Sequence, residues 1–302
     1  MHLARTPRIF PFIVLAACTP KMGNPASLIT DERIIGVRGA PAEAGPSDTV
    51  EYTSLVASPA GTVNEQLLIW SLCKLRKPVA ENTPVSQACL TEDLPSSAQG
   101  AQASIRTPSA ACVNFGPLAP PSSSGTLRPT DPDATGGYYQ PIRLDLGGQQ
   151  AIFRERIHCD LAGASLLMSQ EFRASYALNQ NPTLVSLSAL VGDKPVSLDA
   201  LPSSQRIRLI ANWSPDSAET FPVFDAISQT LTDQREALWL SWFVTAGAFD
   251  DSTTGRTEDE PTISSENAWQ SPGVAGTVFL WLVLHDSRGG VDFAAYTLMV
   301  AP

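Results

Sequence analysis

Val278-Phe279-Leu280-Trp281-Leu282-Val283-Leu284 is apolar at every position. Seven residues is the length of a strand, and with no polar residue at alternate sites both faces of that strand need cover. The stretch therefore reads as a central strand. Asp286-Ser287-Arg288-Gly289-Gly290 follows as a tight turn, where glycine can take positive φ. Residues 291–300 return as the last strand. This hairpin sets the expectation of an all-β chain built from sandwiches.

The same pattern extends upstream. In residues 205–213, Ile207, Leu209 and Ala211 share one face of a strand. Residues 236–245 carry Trp239 and Trp242 in an aromatic-rich run, and residues 183–187 open this strand set. Before them, Asn179-Gln180-Asn181-Pro182 reads as a junction, since Asn-Pro favours a turn and stops a helix. In the first half, residues 33–39, 50–57 and 138–146 read as strands, as do residues 151–159. Leu68, Trp70 and Leu72 share a face at period two, which suits a strand laying Trp70 into a core. Residues 166–177 fit either a strand or a short helix. Between residues 74 and 140 the pattern dissolves into Pro, Ser, Ala and Gly, including Pro120-Pro121-Ser122-Ser123-Ser124-Gly125, and a long loop is expected there.

Composition agrees with strands and turns. Hydrophobic residues are 43% and charged residues 17%, with 25 Pro and 20 Gly, enough apolar material for two cores without a helical bias. The net charge of −10 and the lack of a Lys/Arg cluster speak against nucleic acid and anionic lipid as partners.

The N-terminus reads as a secretory signal. Arg5 and Arg8 make a basic head, and Ile9 to Ala17 is an uncharged run far short of the ~20 residues a spanning helix needs. Leu15-Ala16-Ala17-Cys18 has the layout of a bacterial lipobox, with small residues ahead of a thiol that takes the lipid. Each buried acyl methylene adds ~0.8 kcal/mol of membrane affinity, so several chains on Cys18 hold a soluble body firmly. Thr19 stands where an Asp would signal inner-membrane retention, which points to the outer membrane. The expected divisions are a signal peptide (1–17), a lipidated tether (18–29), an N-terminal sandwich with the long Pro/Ser-rich loop (30–178) and a C-terminal sandwich (179–302).

With Cys18 lipidated, Cys73, Cys89, Cys112 and Cys159 remain, an even number that reads as two disulfides in an exported protein. Three pairings are open, of which Cys73–Cys89 with Cys112–Cys159 is preferred. No CxxC pair or histidine pattern supports zinc.

Catalytic signatures are sparse. There is no GxSxG, HExxH or Walker loop. Ser71-Leu72-Cys73-Lys74 matches SxxK, but it lies in an expected strand and no SDN or KTG follows. His158 and His285 are isolated strand histidines; a cleft setting either beside a carboxylate and a serine would favour hydrolysis. Asp250, Asp251, Glu258, Asp259 and Glu260 offer oxygen ligands for Ca²⁺, yet the spacing is neither that of an EF-hand nor that of an RTX loop, and a solvated acidic loop is the simpler reading. No catalytic residue and no cofactor is assigned.

Ile34-Ile35-Gly36-Val37-Arg38 with Pro41, the Gly/Pro-rich bridge, residues 50–57 and the Trp70–Cys73 pair resemble the first domain of uncharacterised lipoproteins frequent in myxobacteria. The second half resembles an immunoglobulin-like or PKD-like sandwich, with Trp239 and Trp242 on its third strand and Arg288-Gly289-Gly290 in its last hairpin. The resemblance implies two immunoglobulin-like β-sandwich domains in tandem. Two family marks are missing: the antibody-type Cys–Trp–Cys order, and the PKD-type turn, where Thr245-Ala246-Gly247-Ala248-Phe249 stands instead. The expected role is a structural or adhesive module of the cell envelope, held at the membrane by Cys18 and binding an envelope protein or glycan. The alternative is a hydrolase or envelope-processing accessory with a site between the domains.

Overall fold

A computed structural model describes residues 26–75, 85–117 and 133–302. The signal segment, Cys18 and the Pro120–Gly125 run lie outside the described residues. The first half supplies β1 (Arg33–Ala40), β2 (Glu43–Ala44), β3 (Thr49–Ser58), β4 (Gly61–Val63), β5 (Ile69–Leu72), helix α1 (Ala88–Thr91), β6 (Ala98–Gln99), β7 (Gln102–Arg106), helix α2 (Ala111–Phe115), β8 (Gly137–Leu146), β9 (Gln149–His158) and helix α3 (Leu166–Ser175). The second half supplies β10 (Leu184–Val191), β11 (Lys194–Val196), β12 (Leu201–Pro202), β13 (Arg206–Trp213), β14 (Thr220–Asp225), β15 (Thr230–Arg235), β16 (Leu238–Val244), β17 (Ala248–Phe249), β18 (Thr253–Arg256), β19 (Ser264–Gln270), β20 (Gly276–Asp286) and β21 (Val291–Ala301).

Both halves are two-sheet sandwiches of the immunoglobulin kind. In the second, β11-β10-β13-β19-β17 faces β12-β21-β20-β16-β18. The order β10-β13-β19-β17 reproduces the A-B-E-D sheet, and β16-β20-β21 reproduces C-F-G. In the first half β3 pairs with β1, β4 and β7, opposite β2-β9-β8-β5-β6. Each half also has a short parallel pair, β2 on β9 and β12 on β21.

The cores follow the period-two pattern. Ile207, Leu209 and Ala211 of β13 are fully buried against Leu240, Trp242, Trp269, Leu280, Leu282 and Leu298. In the first half Trp70 is fully buried, stacks on Tyr52 at 5.7 Å and donates Nε1–H to Gly100 O at 2.7 Å. Cys73–Cys89 and Cys112–Cys159 are both bonded, as preferred from the sequence.

β20 is central to its sheet, and its two apolar faces have different cover. Val278, Leu280, Leu282 and Leu284 fill their own sandwich. Trp281 and Val283 face the other way and pack with Leu55 and Ala57 of β3 and with Ile29. The Trp281 indole donates to Thr62 Oγ1 at 2.8 Å, across the two halves. The second face of the hairpin is therefore the seam that docks one sandwich on the other.

Two local readings differ from the sequence expectation, and one left open there is settled. Ser27 to Ile29, counted with the tether, are built into the body: Ile29 is buried, its N–H donates to Val244 O at 2.9 Å, and Val244 N–H donates to Ser27 O at 2.8 Å. The expected loop after residue 74 contains α1, β6, β7 and α2; Ala103 and Ile105 alternate inward along β7, a pattern too short to stand out from its Pro- and Ser-rich flanks. Residues 166–175 are helical, started by Ser165, whose Oγ accepts from Met168 N–H.

Candidate functional site: the cleft at the joint

The joint between the sandwiches is polar as well as apolar. Arg288 is almost fully buried, donating Nε–H to Glu236 Oε1 at 2.7 Å, Nη2–H to Glu219 Oε2 at 2.6 Å and Nη1–H to Ala177 O at 2.9 Å. Glu43, from the first half, accepts from Tyr176 OH at 2.8 Å and from Asn179 N–H at 2.9 Å. Asn179 then donates Nδ2–H to Asp286 Oδ1 at 3.1 Å. Asn181 donates to Gly39 O at 2.7 Å and accepts from Val291 N–H at 2.8 Å. The 176–181 segment is thus pinned on both sides. Burial, then the neighbouring Asp286, pushes the Glu236 carboxyl up to about 7, against the pull of Arg288. Asp286 is raised by the same desolvation. A second clamp lies alongside, where Phe172 of α3 packs with Leu161 and with Phe224 of β14.

Beside this joint an open cleft of ≈ 340 Å³ is lined by both halves. β1, β8 and β9 form one wall, with Tyr139 and Arg154; β16 and the β20–β21 turn form the other, with Trp239 and His285. Trp239 and Trp242 are three apart, an odd spacing on a strand, so they point to opposite faces. Trp242 is fully buried, while Trp239 is 39% exposed. The Trp239 and His285 rings stack, with centroids 5.4 Å apart and planes 13° apart. On the other side Trp239 is paired in register with Gly255, which has no side chain. Across the cleft the exposed Arg154 guanidinium lies 5.3 Å from the Tyr139 ring. Among the described residues Arg154 has no carboxylate partner. Burial lowers His285 to about 4, so its ring is neutral at neutral pH.

His285, Asp286 and Ser287 line this one cleft, the juxtaposition that would favour hydrolysis. They are not wired as a relay. Asp286 Oδ1 accepts from Arg288 N–H at 2.9 Å and Gly290 N–H at 2.8 Å, besides Asn179. Among the described residues no hydrogen bond joins His285 to Asp286 or Ser287, and the His285 ring stacks on Trp239. His158 lies elsewhere, at the end of β9 beside Gly45. Ser71 is fully buried within β5, where SxxK cannot open a helix.

The acidic stretch does not converge. Asp250 is held by Arg206 Nη1 at 3.0 Å, Glu258 accepts from Gln234 at 2.5 Å, and Glu260 accepts from Thr257 N–H at 3.0 Å. Among the described residues no three His, Cys, Asp or Glu side chains gather as a metal site.

No protein-family model matches this chain, and no curated protein matches it. The resemblance to myxobacterial lipoproteins therefore has no support from a sequence family. Similar solved structures include the D00-D0 domain of intimin, at 9% identity over 90% of this chain and 99% of that one, TM-score 0.25. The Yersinia pseudotuberculosis adhesin InvE is 11% identical over 88% of this chain and 58% of that one, TM-score 0.22. Domains 4 and 5 of the S-layer protein SbsC are 7% identical over 89% of this chain and all of theirs (100%), TM-score 0.21. Likenesses this faint assign no ligand and no activity. Among the described residues no helix is long and apolar enough to cross a membrane.

Proposed function

We propose that the chain is an exported envelope lipoprotein, anchored at the outer membrane by an acylated Cys18, whose two docked sandwiches act as a binding module. The observation that carries this reading is the cleft: it is lined by both halves, and it leaves Trp239 exposed beside a joint that is otherwise buried and hydrogen-bonded. Exposed aromatics in concave sites serve recognition more than stability. The two disulfides suit an oxidising compartment. A seam that is both apolar and ionic would hold the cleft at a set orientation to the anchor, as an adhesive or structural element requires.

The test is capture from envelope extracts by the detergent-purified chain, compared with its Trp239→Ala variant. A protein or glycan retained by the first and lost from the second supports the reading. Equal retention by both, or none by either, refutes a binding role for the cleft.

A further inference from the structure

The two walls of the cleft carry different chemistry. The indole of Trp239 stacks on His285 of one neighbouring strand, its register partner on the other neighbouring strand is Gly255, which has no side chain to cover it, and the residue stays 39% exposed. Gly255 is required there, because a Cβ would fall 3.2 Å from the Trp239 Cβ and even closer to Leu238 O. An open indole face carries negative quadrupole charge, which attracts the slightly positive C–H bonds on the flat side of a pyranose ring. The opposite wall offers Arg154, held over Tyr139 and lacking a carboxylate partner among the described residues. In a chain of net charge −10, an exposed guanidinium left unpaired in a cleft is a local reversal of sign. Its planar fork matches a carboxylate in two-point geometry. The acid in the lining, Asp286, is fully buried, with Oδ1 accepting from Arg288 N–H and Gly290 N–H and Oδ2 from Asn179 Nδ2–H at 3.3 Å. At ≈ 340 Å³ the cleft is at the small end of ligand sites.

We infer that the cleft binds an acidic carbohydrate, with Trp239 as the platform for a sugar ring and Arg154 as the partner of its carboxylate. The inference rests on the binding-module reading and narrows it to one ligand class. The neutral His285 ring braces the platform and adds no charge against Arg154. A peptide rich in glutamate would satisfy Arg154 but leave Trp239 unused, which is why the sugar is preferred.

Titration calorimetry on the detergent-purified full chain tests this with four probes: hexagalacturonate, its methyl ester, maltohexaose and hexaglutamate. The acidic hexasaccharide should bind, and esterification should weaken it at least about tenfold by removing a charge-assisted hydrogen bond. Arg154→Gln should weaken the acid to the same degree and leave the ester unchanged, while Trp239→Ala should weaken both. Trp239→Phe, which keeps an aromatic face, should retain most of the affinity and guards against an effect of misfolding. Equal affinity for acid and ester, or binding of hexaglutamate without the sugar, overturns the inference. No binding of any probe also overturns it; capture of another ligand from envelope extracts would then show that the broader binding reading survives.

Discussion

Trp281→Ala would show whether the two sandwiches are one unit. The side chain is 1% exposed and sits on the outer face of β20, against Leu55, Ala57 and Ile29. Its Nε1–H donates across the seam to Thr62 Oγ1. Removing a buried tryptophan costs about 3–5 kcal/mol in lost burial and cavity formation. In a chain of this size 1 kcal/mol moves the midpoint by about 2–4 °C, so the expected drop is on the order of 10 °C. The decisive feature is its distribution. Because the contact belongs to both halves, calorimetry should show the whole endotherm moving. Thr62→Val, made in the first half, should also weaken the second, since it leaves a buried indole N–H unpaired at a cost of about 1–3 kcal/mol. An endotherm that splits, with one component at its wild-type temperature, would refute the docked unit.

The remaining expectations can be checked by standard means. Cys18→Ala should abolish palmitate labelling and release the protein from membranes; continued labelling would remove the anchor. Breaking Cys112–Cys159, which spans 47 residues, should cost about 1 kcal/mol more than breaking Cys73–Cys89, which spans 16, as loop entropy dictates; denaturant titration of the two double-alanine variants measures it. Glu236 is raised to about 7, so its contribution is complete below the unfolded value near 4.5 and lost as pH rises to 7. The stability of Glu236→Gln relative to wild type should therefore be constant below pH 4.5 and rise between 4.5 and 7. His285 is lowered to about 4, so its contribution is present above 6.5 and lost as pH falls. His285→Asn should gain on wild type from pH 6.5 down to 4 and run parallel above; the reverse slopes would contradict the burial of these groups.

The strands were legible because their periodicity is simple. Residues 205–213 declare their inward face at Ile207, Leu209 and Ala211, and Trp70 declares itself by its apolar neighbours at even spacing. The two-faced apolar run in β20 required cover on both sides, but local pattern does not name the cover. It takes β3 and Ile29, more than two hundred residues away, to supply it. The same distance hides the joint: Glu43, Asn179, Glu236 and Arg288 are scattered along the chain and become one network only after both sandwiches close. One part of the cleft could have been read earlier. Trp239 and Trp242 are an odd number of residues apart on one strand, so one of them had to leave the core. Arg154 gave no such signal, since an exposed arginine on a strand is ordinary until a cleft forms in front of it.

The claim that the joint carries the binding site is tested most directly by hydrogen exchange on the full chain, with and without hexagalacturonate. Binding at the joint should slow exchange in β1 around residues 34–37, in β9 around Arg154, and at Trp239 and residues 285–289. Protection confined to distant turns, such as that at Gly192 or Ser204, with these segments unchanged, would contradict it.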